Sequence, residues 1–336
     1  MKVARAAAVI LGLCAPVALT MACGARSELF LGSVLRDGGT EPDAPSTVDV
    51  AVPGLDVAPR RDVVQQAACA DAGDTLIYAV TTDTSARNFQ ILKFDPSSAG
   101  FSIVGPLACP DPYTPFSMAV DRQGHAYVAY YDQAALAAGL NAPPASIYRV
   151  NLNTAGCVAT SYVPNAAFQS FGMAFVANDV GMDETLFIAS NNATSTSSAP
   201  PGVLGAINET TLVLNTVGAF APRVFAAELT GTGDGRLFAF WAPTGLNTMG
   251  SAVAEIDKTT AHVAGQASLP TVTQGGGWAF AFWGGSFYLF TNPGGPQGDT
   301  TTVVQKYDPS AGSVVQIATY PQTIVGAGVS TCAPVQ

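Results

Sequence analysis

Along the body of the chain, apolar and polar residues alternate in short runs, and each run stops at Gly, Asn, Asp or Pro. A period of two is that of half-buried β-strands, because successive side chains point to opposite faces. Five segments repeat one design: ILKFDPSSAGFSIVG, IYRVNLNTAGCVATSY, LGAINETTLVLNTVG, VAEIDKTTAHVAGQAS and VQKYDPSAGSVVQIAT. Each reads as strand, turn, strand, with an acid or amide at the turn: Asp95, Asn151, Asn208, Asp257 or Asp308. Asp and Asn suit that place because their side chains hydrogen-bond the backbone two residues on. The turns recur at intervals of 56, 57, 49 and 51 residues. Upstream lies a second pair of β runs, as in FSMAVDRQGHAYVAYY from Phe116, FAAELTGTGDGRLFAFW from Phe225 and GWAFAFWGGSFYLFTN from Gly277. The repeating unit therefore holds four strands in about 50 residues.

Five four-stranded units of this length resemble the blades of a β-propeller. The resemblance implies a single all-β domain over residues 67–336. The first unit opens with CADAGDTLIYAV from Cys69, which matches a second strand with no first. The closing VGAGVSTCAP matches a first strand with nothing after it, so the C-terminal strand is expected to complete the first blade and close the ring. That juxtaposition brings Cys69 beside Cys332, while Cys109 and Cys157 fall on or beside the outermost strands of consecutive units. Four cysteines allow three connectivities, of which Cys69–Cys332 with Cys109–Cys157 is the expected one. Aligning Phe116, Phe171, Phe225, Trp278 and Val325 places Ala119, Ala174, Glu228, Ala281 and Gly328 three positions later. Small residues are expected where strands crowd around a central axis, and Glu228 stands out among them.

The first two dozen residues carry a different message. Lys2 and Arg5 precede an apolar stretch from Ala6 to Leu19, and small residues follow, which is the layout of an export signal over residues 1–22. Thr20-Met21-Ala22 leads into Cys23-Gly24, and this resembles the lipobox of bacterial lipoproteins, with the usual Leu displaced by one to Leu19. Cys14 fits poorly, because Leu13 is large for the residue before a cut. The resemblance implies lipidation (palmitate) at Cys23, and Gly24 resembles the default outer-membrane sorting signal of a Gram-negative lipoprotein, periplasmic or surface-exposed. Residues 23–66, rich in Pro, Asp, Gly and Val without strand or helix period, read as a lipid-anchored flexible linker. No other apolar run approaches the roughly 18 residues that span a bilayer, so membrane attachment is expected only through the N-terminal lipid.

Charge narrows the partners. The chain carries 14 Lys and Arg against 24 Asp and Glu, a net charge of −10. Removing residues 1–22 leaves 12 basic residues against 24 acidic ones. Nucleic acid and anionic lipid surfaces reward clustered Lys and Arg, so neither is expected as a partner. With only 11% charged residues, 34 Gly and 23 Pro, the composition is that of many strands joined by turns.

Titratable chemistry is sparse. His125 and His262 fall in turns of different types, no Cys or His spacing suggests zinc, and neither GxGxxG nor GxSxG appears, so no metal or cofactor is expected. Glu228 has no second acid at an equivalent position, and it reads as a lone residue lining the channel. Four connections between second and third strands are long: DQAALAAGLNAPPAS from Asp132, NNATSTSSAPPG from Asn191, APTGLNTMGS from Ala242 and NPGGPQGDTTT from Asn292. In a propeller these emerge on one face, where loops on a rigid scaffold carry binding. Candidate binding residues are Glu228, the aromatics Tyr130, Tyr131, Trp241 and Phe290 at the loop roots, and the amides Asn191, Asn192 and Asn292. The expected function is a monomeric, non-enzymatic binding or scaffold module for an envelope protein or polysaccharide. The competing reading is a hydrolase or lyase acting on a glycan or lactone in the axial funnel, which would need a second carboxylate about 6 to 9 Å from Glu228.

Overall fold

The computed structural model describes residues 55–58, 69, 75–83, 87–191, 201–245, 248–294 and 299–336. The expected signal segment, Cys23 and Asn192 lie outside the described residues. A boundary at Val50 separates the chain from Val50 to Gln336 as one compact unit, which contains every described residue.

Twenty strands form five antiparallel sheets of four. Blade 1 is β1 (Ile77–Thr82), β2 (Gln90–Asp95) and β3 (Gly100–Pro106), completed on its inner side by β20 (Thr323–Gly328). Blade 2 is β4 (Thr114–Val120), β5 (His125–Tyr131), β6 (Ser146–Asn151) and β7 (Cys157–Ala159). Blade 3 is β8 (Phe171–Ala177), β9 (Glu184–Ser190), β10 (Val203–Asn208) and β11 (Leu214–Ala219). Blade 4 is β12 (Glu228–Gly231), β13 (Leu237–Trp241), β14 (Ser251–Ile256) and β15 (Val263–Leu269). Blade 5 is β16 (Trp278–Trp283), β17 (Ser286–Thr291), β18 (Thr302–Asp308) and β19 (Ser313–Tyr320). One short helix, α1 (Gln133–Ala137), sits in the long connection of blade 2.

The innermost strands pack in sequence, β20 on β4, β4 on β8, β8 on β12, β12 on β16, and β16 back on β20. The ring is closed, and the protein is a five-bladed β-propeller. Tyr78 pairs with Gly328 and Val80 with Gly326, so the last strand is the inner strand of the first blade. The Cys69–Cys332 disulfide, with 5.5 Å between Cα atoms, ties the two ends of the body together. Cys109 and Cys157 form the second disulfide, across the outer edge of blade 2.

Each blade follows from local chemistry. Asp95, Asn151, Asn208, Asp257 and Asp308 each accept the backbone N–H two residues later, at 2.8 to 3.1 Å. These are the turns that the repeats predict, and their hydrogen bonds hold the Asp95, Asp257 and Asp308 carboxyls below the usual carboxylate range. Between blades, apolar faces interlock through aromatic pairs such as Phe238 with Phe282, Phe94 with Phe290, and Tyr127 with Phe175.

At the axis the strands approach until no side chain fits between them. A Cβ on Gly172 would stand 2.1 Å from the Ala227 carbonyl oxygen, and one on Gly231 would stand 2.0 Å from that of Phe175. A Cβ on Gly326 or Gly328 would stand 2.8 to 3.0 Å from the backbone of β4. One feature departs from the sequence expectation: part of the linker is docked, with Leu55 buried in the main apolar cluster and Asp56 and Ala58 held by Arg236.

Two substitutions test this frame. Gly172→Ala should destabilise the fold by about 3 kcal/mol or more, at the upper end of overpacking effects, because backbone rather than a mobile side chain blocks the new methyl. Cys332→Ser opens a loop of 263 residues and should cost about 5 kcal/mol by chain-entropy arithmetic. Both are read as shifts in urea midpoint at constant slope.

Candidate functional site

Strand direction sorts the molecule into two ends. Inner strands start, and second strands finish, at the end that carries the four long connections; the tight inner hairpin turns mark the opposite end. A cleft of about 330 Å³ opens at the long-loop end among blades 1, 2 and 5. Phe116, Tyr131, Trp278 and Val325 form its floor and walls, Leu136 and Ala137 of α1 lean over it, and Thr82, Thr114 and Gln133 supply its polar rim. Phe116 stands between the other two rings, 5.0 Å from Tyr131 and 5.5 Å from Trp278, centroid to centroid. Trp278 is fixed by its indole N–H, which donates to the Ala226 carbonyl at 3.1 Å. Burial pushes the Tyr131 phenol upward in pKa. Among the described residues, no charged side chain lines this cleft.

Helix α1 is a loose cover. Asp132 caps it by accepting from Ala135 N–H at 3.0 Å, yet none of its five residues is buried. Five residues fall well short of the length at which a helix is stable alone, so its place depends on the contacts of the loop around it.

Beneath the cleft the axis is plugged in two layers. Ala119, Ala174, Thr230 and Gly328 line one small space between the inner strands, and they and Ala281 of blade 5 pair with Tyr127, Phe187, Phe238, Tyr78 and Tyr288 of the second strands. Glu228 stands two residues earlier, opposite Phe240, in the layer of Gly172, Ala279 and Gly326. Alignment on Phe225 placed it one layer too deep, because β12 is only four residues long and Phe225 precedes it. The axial cavity below holds about 10 Å³, room for one water at most.

Glu228 has no exposed surface. Ser117 Oγ donates to its Oε2 at 2.7 Å and in turn accepts from Met173 N–H at 3.0 Å. The register of β4 and β5 shifts between Pro115 and Met118, a bulge that aims Ser117 across Gly172 toward blade 4. One hydroxyl thus joins blades 2, 3 and 4 at the axis. Glu228 Oε1 finds no hydrogen-bond partner among the described residues. Burial raises the Glu228 carboxyl well above its ordinary range, the Ser117 bond opposes this weakly, and no charged group contributes.

The other sequence candidates fall in several places. Tyr130 alternates with Tyr131 onto the opposite face of β5, buried edge-to-face against Tyr148 at 5.4 Å. Trp241 and Phe290 are buried in the packing of their blades. Asn292 is buried and structural: its Nδ2 donates to the Asp299 and Thr301 carbonyls at 2.9 and 3.0 Å, clipping its own long connection shut. Asn191 holds the matching place in blade 3, with its backbone N–H on the Ser170 carbonyl at 2.8 Å. Of the proposed aromatics, Tyr131 alone lines the axial cleft. Phe116 and Trp278 served to align the repeats; what the alignment lacked was the end of the strand at which each ring emerges.

The hairpin-turn end carries a buried polar latch. Glu184 accepts from Arg122 N–H at 2.6 Å and from Thr331 Oγ1 at 2.8 Å, while Arg122 Nε donates to the same Thr331 hydroxyl at 3.1 Å. The latch joins blades 2 and 3 to the C-terminal segment next to Cys332. Burial, chiefly, raises Glu184 to about 7. His125 lies in the same neighbourhood, Nδ1 at 3.0 Å from Asp121, whose carboxyl burial pushes up; His262 is exposed in a turn. Among the described residues, no group of three His, Cys, Asp or Glu side chains is placed to hold a metal ion.

No protein-family model and no curated protein sequence matches the chain. The fold is similar to that of TolB from Acinetobacter baumannii, at 11% identity and a TM-score of 0.43, covering 76% of this chain and 55% of that one. It is also similar to a chain of a nidogen/laminin complex, at 10% identity and a TM-score of 0.46, covering 77% and 98%. An exo-β-1,3-galactanase from Phanerochaete chrysosporium, bound to galactose, follows at 12% identity and a TM-score of 0.44, covering 60% of this chain and 49% of that one. The chain thus spans about half the length of TolB and of the galactanase. At these identities the likeness concerns the fold alone.

The buried carboxyls set a pH dependence. A free glutamate titrates near 4.5, whereas burial raises folded Glu184 to about 7 and raises Glu228 well above its ordinary range, so the folded state binds more protons in between. The stability this confers is complete below about pH 4.5 and is lost as pH rises through about 7, by about 3 kcal/mol for Glu184. The lowered Asp95, Asp257, Asp299 and Asp308 act in the opposite sense, but below their ordinary value of 3.8. Urea midpoints should therefore fall between pH 5 and pH 8, and Glu184→Gln should flatten that fall.

Proposed function

We propose that the chain is an exported, lipid-anchored protein of the bacterial cell envelope, whose propeller binds a protein partner without catalysis at its long-loop end. The observation that carries this reading is the cleft at the long-loop end: a concave recess lined by Phe116, Tyr131 and Trp278, with Gln133, Leu136 and Ala137 of one long connection at its edge and no charged side chain among its described lining residues. A sugar needs a partner for nearly every hydroxyl it buries, and among the described lining residues the side chains that offer one are Thr82, Thr114, Gln133 and the Tyr131 phenol. An apolar anchor side chain needs none, which favours a protein over a polysaccharide. Aromatic pockets of this kind are where binding energy concentrates.

Two disulfides support an oxidising compartment, since thiols stay reduced in the cytosol. Together with the lipobox-like run at Cys23, they support export and anchoring at the outer membrane, with Cys23 as the acylated residue. Catalysis in the funnel is the weaker reading. Glycosidic hydrolysis needs paired carboxylates, whereas Glu228 is sealed below the cleft floor and no other carboxyl perturbs it.

The test is capture from envelope extract by the full mature chain, with wild type and Tyr131→Ala compared. A protein retained by wild type should lose about tenfold or more in affinity on Tyr131→Ala, the effect of removing an aromatic anchor. Retention of glycan alone would replace the protein by a polysaccharide partner, and loss of neither would move the binding surface off the cleft.

A further inference from the structure

The long connection of blade 2 is fastened to the body by hydrogen bonds at its two ends. Asp132 follows β5 directly and caps α1. At the far end Gln169 Nε2 donates to Asn141 Oδ1 at 2.9 Å and to the Ala142 carbonyl at 3.0 Å, and Ala145 N–H donates to the Phe168 carbonyl at 3.2 Å. Ala142 and Ala145 are both buried. Between these anchors the main-chain bonds close on the segment itself: Leu136 N–H to the Asp132 carbonyl, Ala138 to Ala134, Gly139 to Leu136 and Leu140 to Ala135, at 2.9 to 3.1 Å. Among the described residues, none from 133 to 140 joins an apolar cluster. Leu140 is 63% exposed, and Gly139, at φ +66°, turns the chain where an added Cβ would meet nothing.

Gln133, Leu136 and Ala137 are spaced three and four residues apart, which puts them on one face of α1, and that face fronts the cleft. Leu136 is only half-buried there. A segment fixed at both ends and held between them by so little opens at a small fraction of the global unfolding free energy. A guest in the cleft would supply the burial that Leu136 lacks.

The rest of the cleft says what that guest is. Phe116 meets Tyr131 at an interplanar angle of 60° and Trp278 at 78°, so the recess is bounded by ring edges as well as ring faces, an arrangement that a further ring extends. The Tyr131 phenol makes no hydrogen bond among the described residues, and burial is the one cause acting on it. A charged group would find no counter-charge among the described lining residues. Trp and Tyr side chains join an apolar ring to one polar atom that needs a partner when buried, and the Tyr131 hydroxyl is such a partner.

We propose that residues 133–140 form a flap that closes on a Trp or Tyr side chain offered by the partner, seating the ring between Leu136 and the aromatic wall with its polar atom on the Tyr131 hydroxyl. This rests on the cleft being the binding site, and adds the chemistry of the guest and the part that moves.

Indole, the ring of a Trp side chain, tests it without the partner. Calorimetric titration of the mature chain should show indole bound more tightly than indene, its isostere without the N–H, by about fivefold, the worth of one net hydrogen bond. Tyr131→Phe should abolish that preference. Leu136→Ala, which keeps a good helix former, should weaken both ligands by about fivefold without moving the urea midpoint, since no residue of α1 is buried. Hydrogen exchange across residues 133–140 should slow about tenfold at saturating indole. Exchange that stays unchanged at saturation, or indifference to Leu136→Ala, would overturn the flap. Indene bound as tightly as indole, or glucose bound in place of either, would overturn the guest. Each of these results leaves the cleft itself standing, whereas partner capture that ignores Tyr131→Ala removes the cleft.

Discussion

Five strands converging on one axis leave almost no room between their backbones, and that crowding governs the rest of the molecule. Gly172, Gly231, Gly326 and Gly328 stand where any side chain would strike a neighbouring main chain. Ala119, Ala174 and Ala281 fill what space remains one step away. Because the centre is solid, the axis cannot serve as a funnel running through the protein. Whatever the propeller binds must be taken at an end; the long-loop end is hollowed by the cleft of about 330 Å³, and the hairpin-turn end by a recess of about 260 Å³ beside Asp179, Gly235 and Lys258.

Within that solid centre, polar groups are few and each one joins separate blades. Ser117 holds Glu228 across Gly172 while accepting from Met173, and Thr230 Oγ1 accepts from Phe282 N–H at 3.0 Å. The Arg122, Glu184 and Thr331 latch does the same at the hairpin-turn end. Such contacts add orientation to apolar packing that is itself indifferent to small rotations between blades. Both glutamates are held at raised pKa by burial, so proton uptake and blade registration are linked.

The architecture was legible because it is repeated. Five Asx turns, alternation within each run and the two half-units at the ends were enough to specify blade count and closure, and the expected pairing of Cys69 with Cys332 followed from that closure. The site was legible only in outline. Long connections marked the end at which the cleft opens, but alternation along β5 decides between Tyr130 and Tyr131, and a one-residue difference sends one ring into the core and the other into the cleft. The depth of Glu228 was misread for a related reason: the bulge in β4 and the shortness of β12 alter register locally, and neither has a signature in residue type. The hold of Arg236 on the segment was invisible, since nothing in a Pro-rich stretch reveals that the Asp56 and Ala58 carbonyls meet a buried cation.

Joining the final strand to the first has a consequence for how the molecule comes into being. A polypeptide delivered N-terminus first can assemble blades 2 to 5 as they arrive, but β1 has no inner neighbour until Thr323–Gly328 emerges, and Cys69 must wait for Cys332. Completion therefore falls at the very end of delivery. Until then the chain stays an open arc, and afterwards it is a covalently fastened ring.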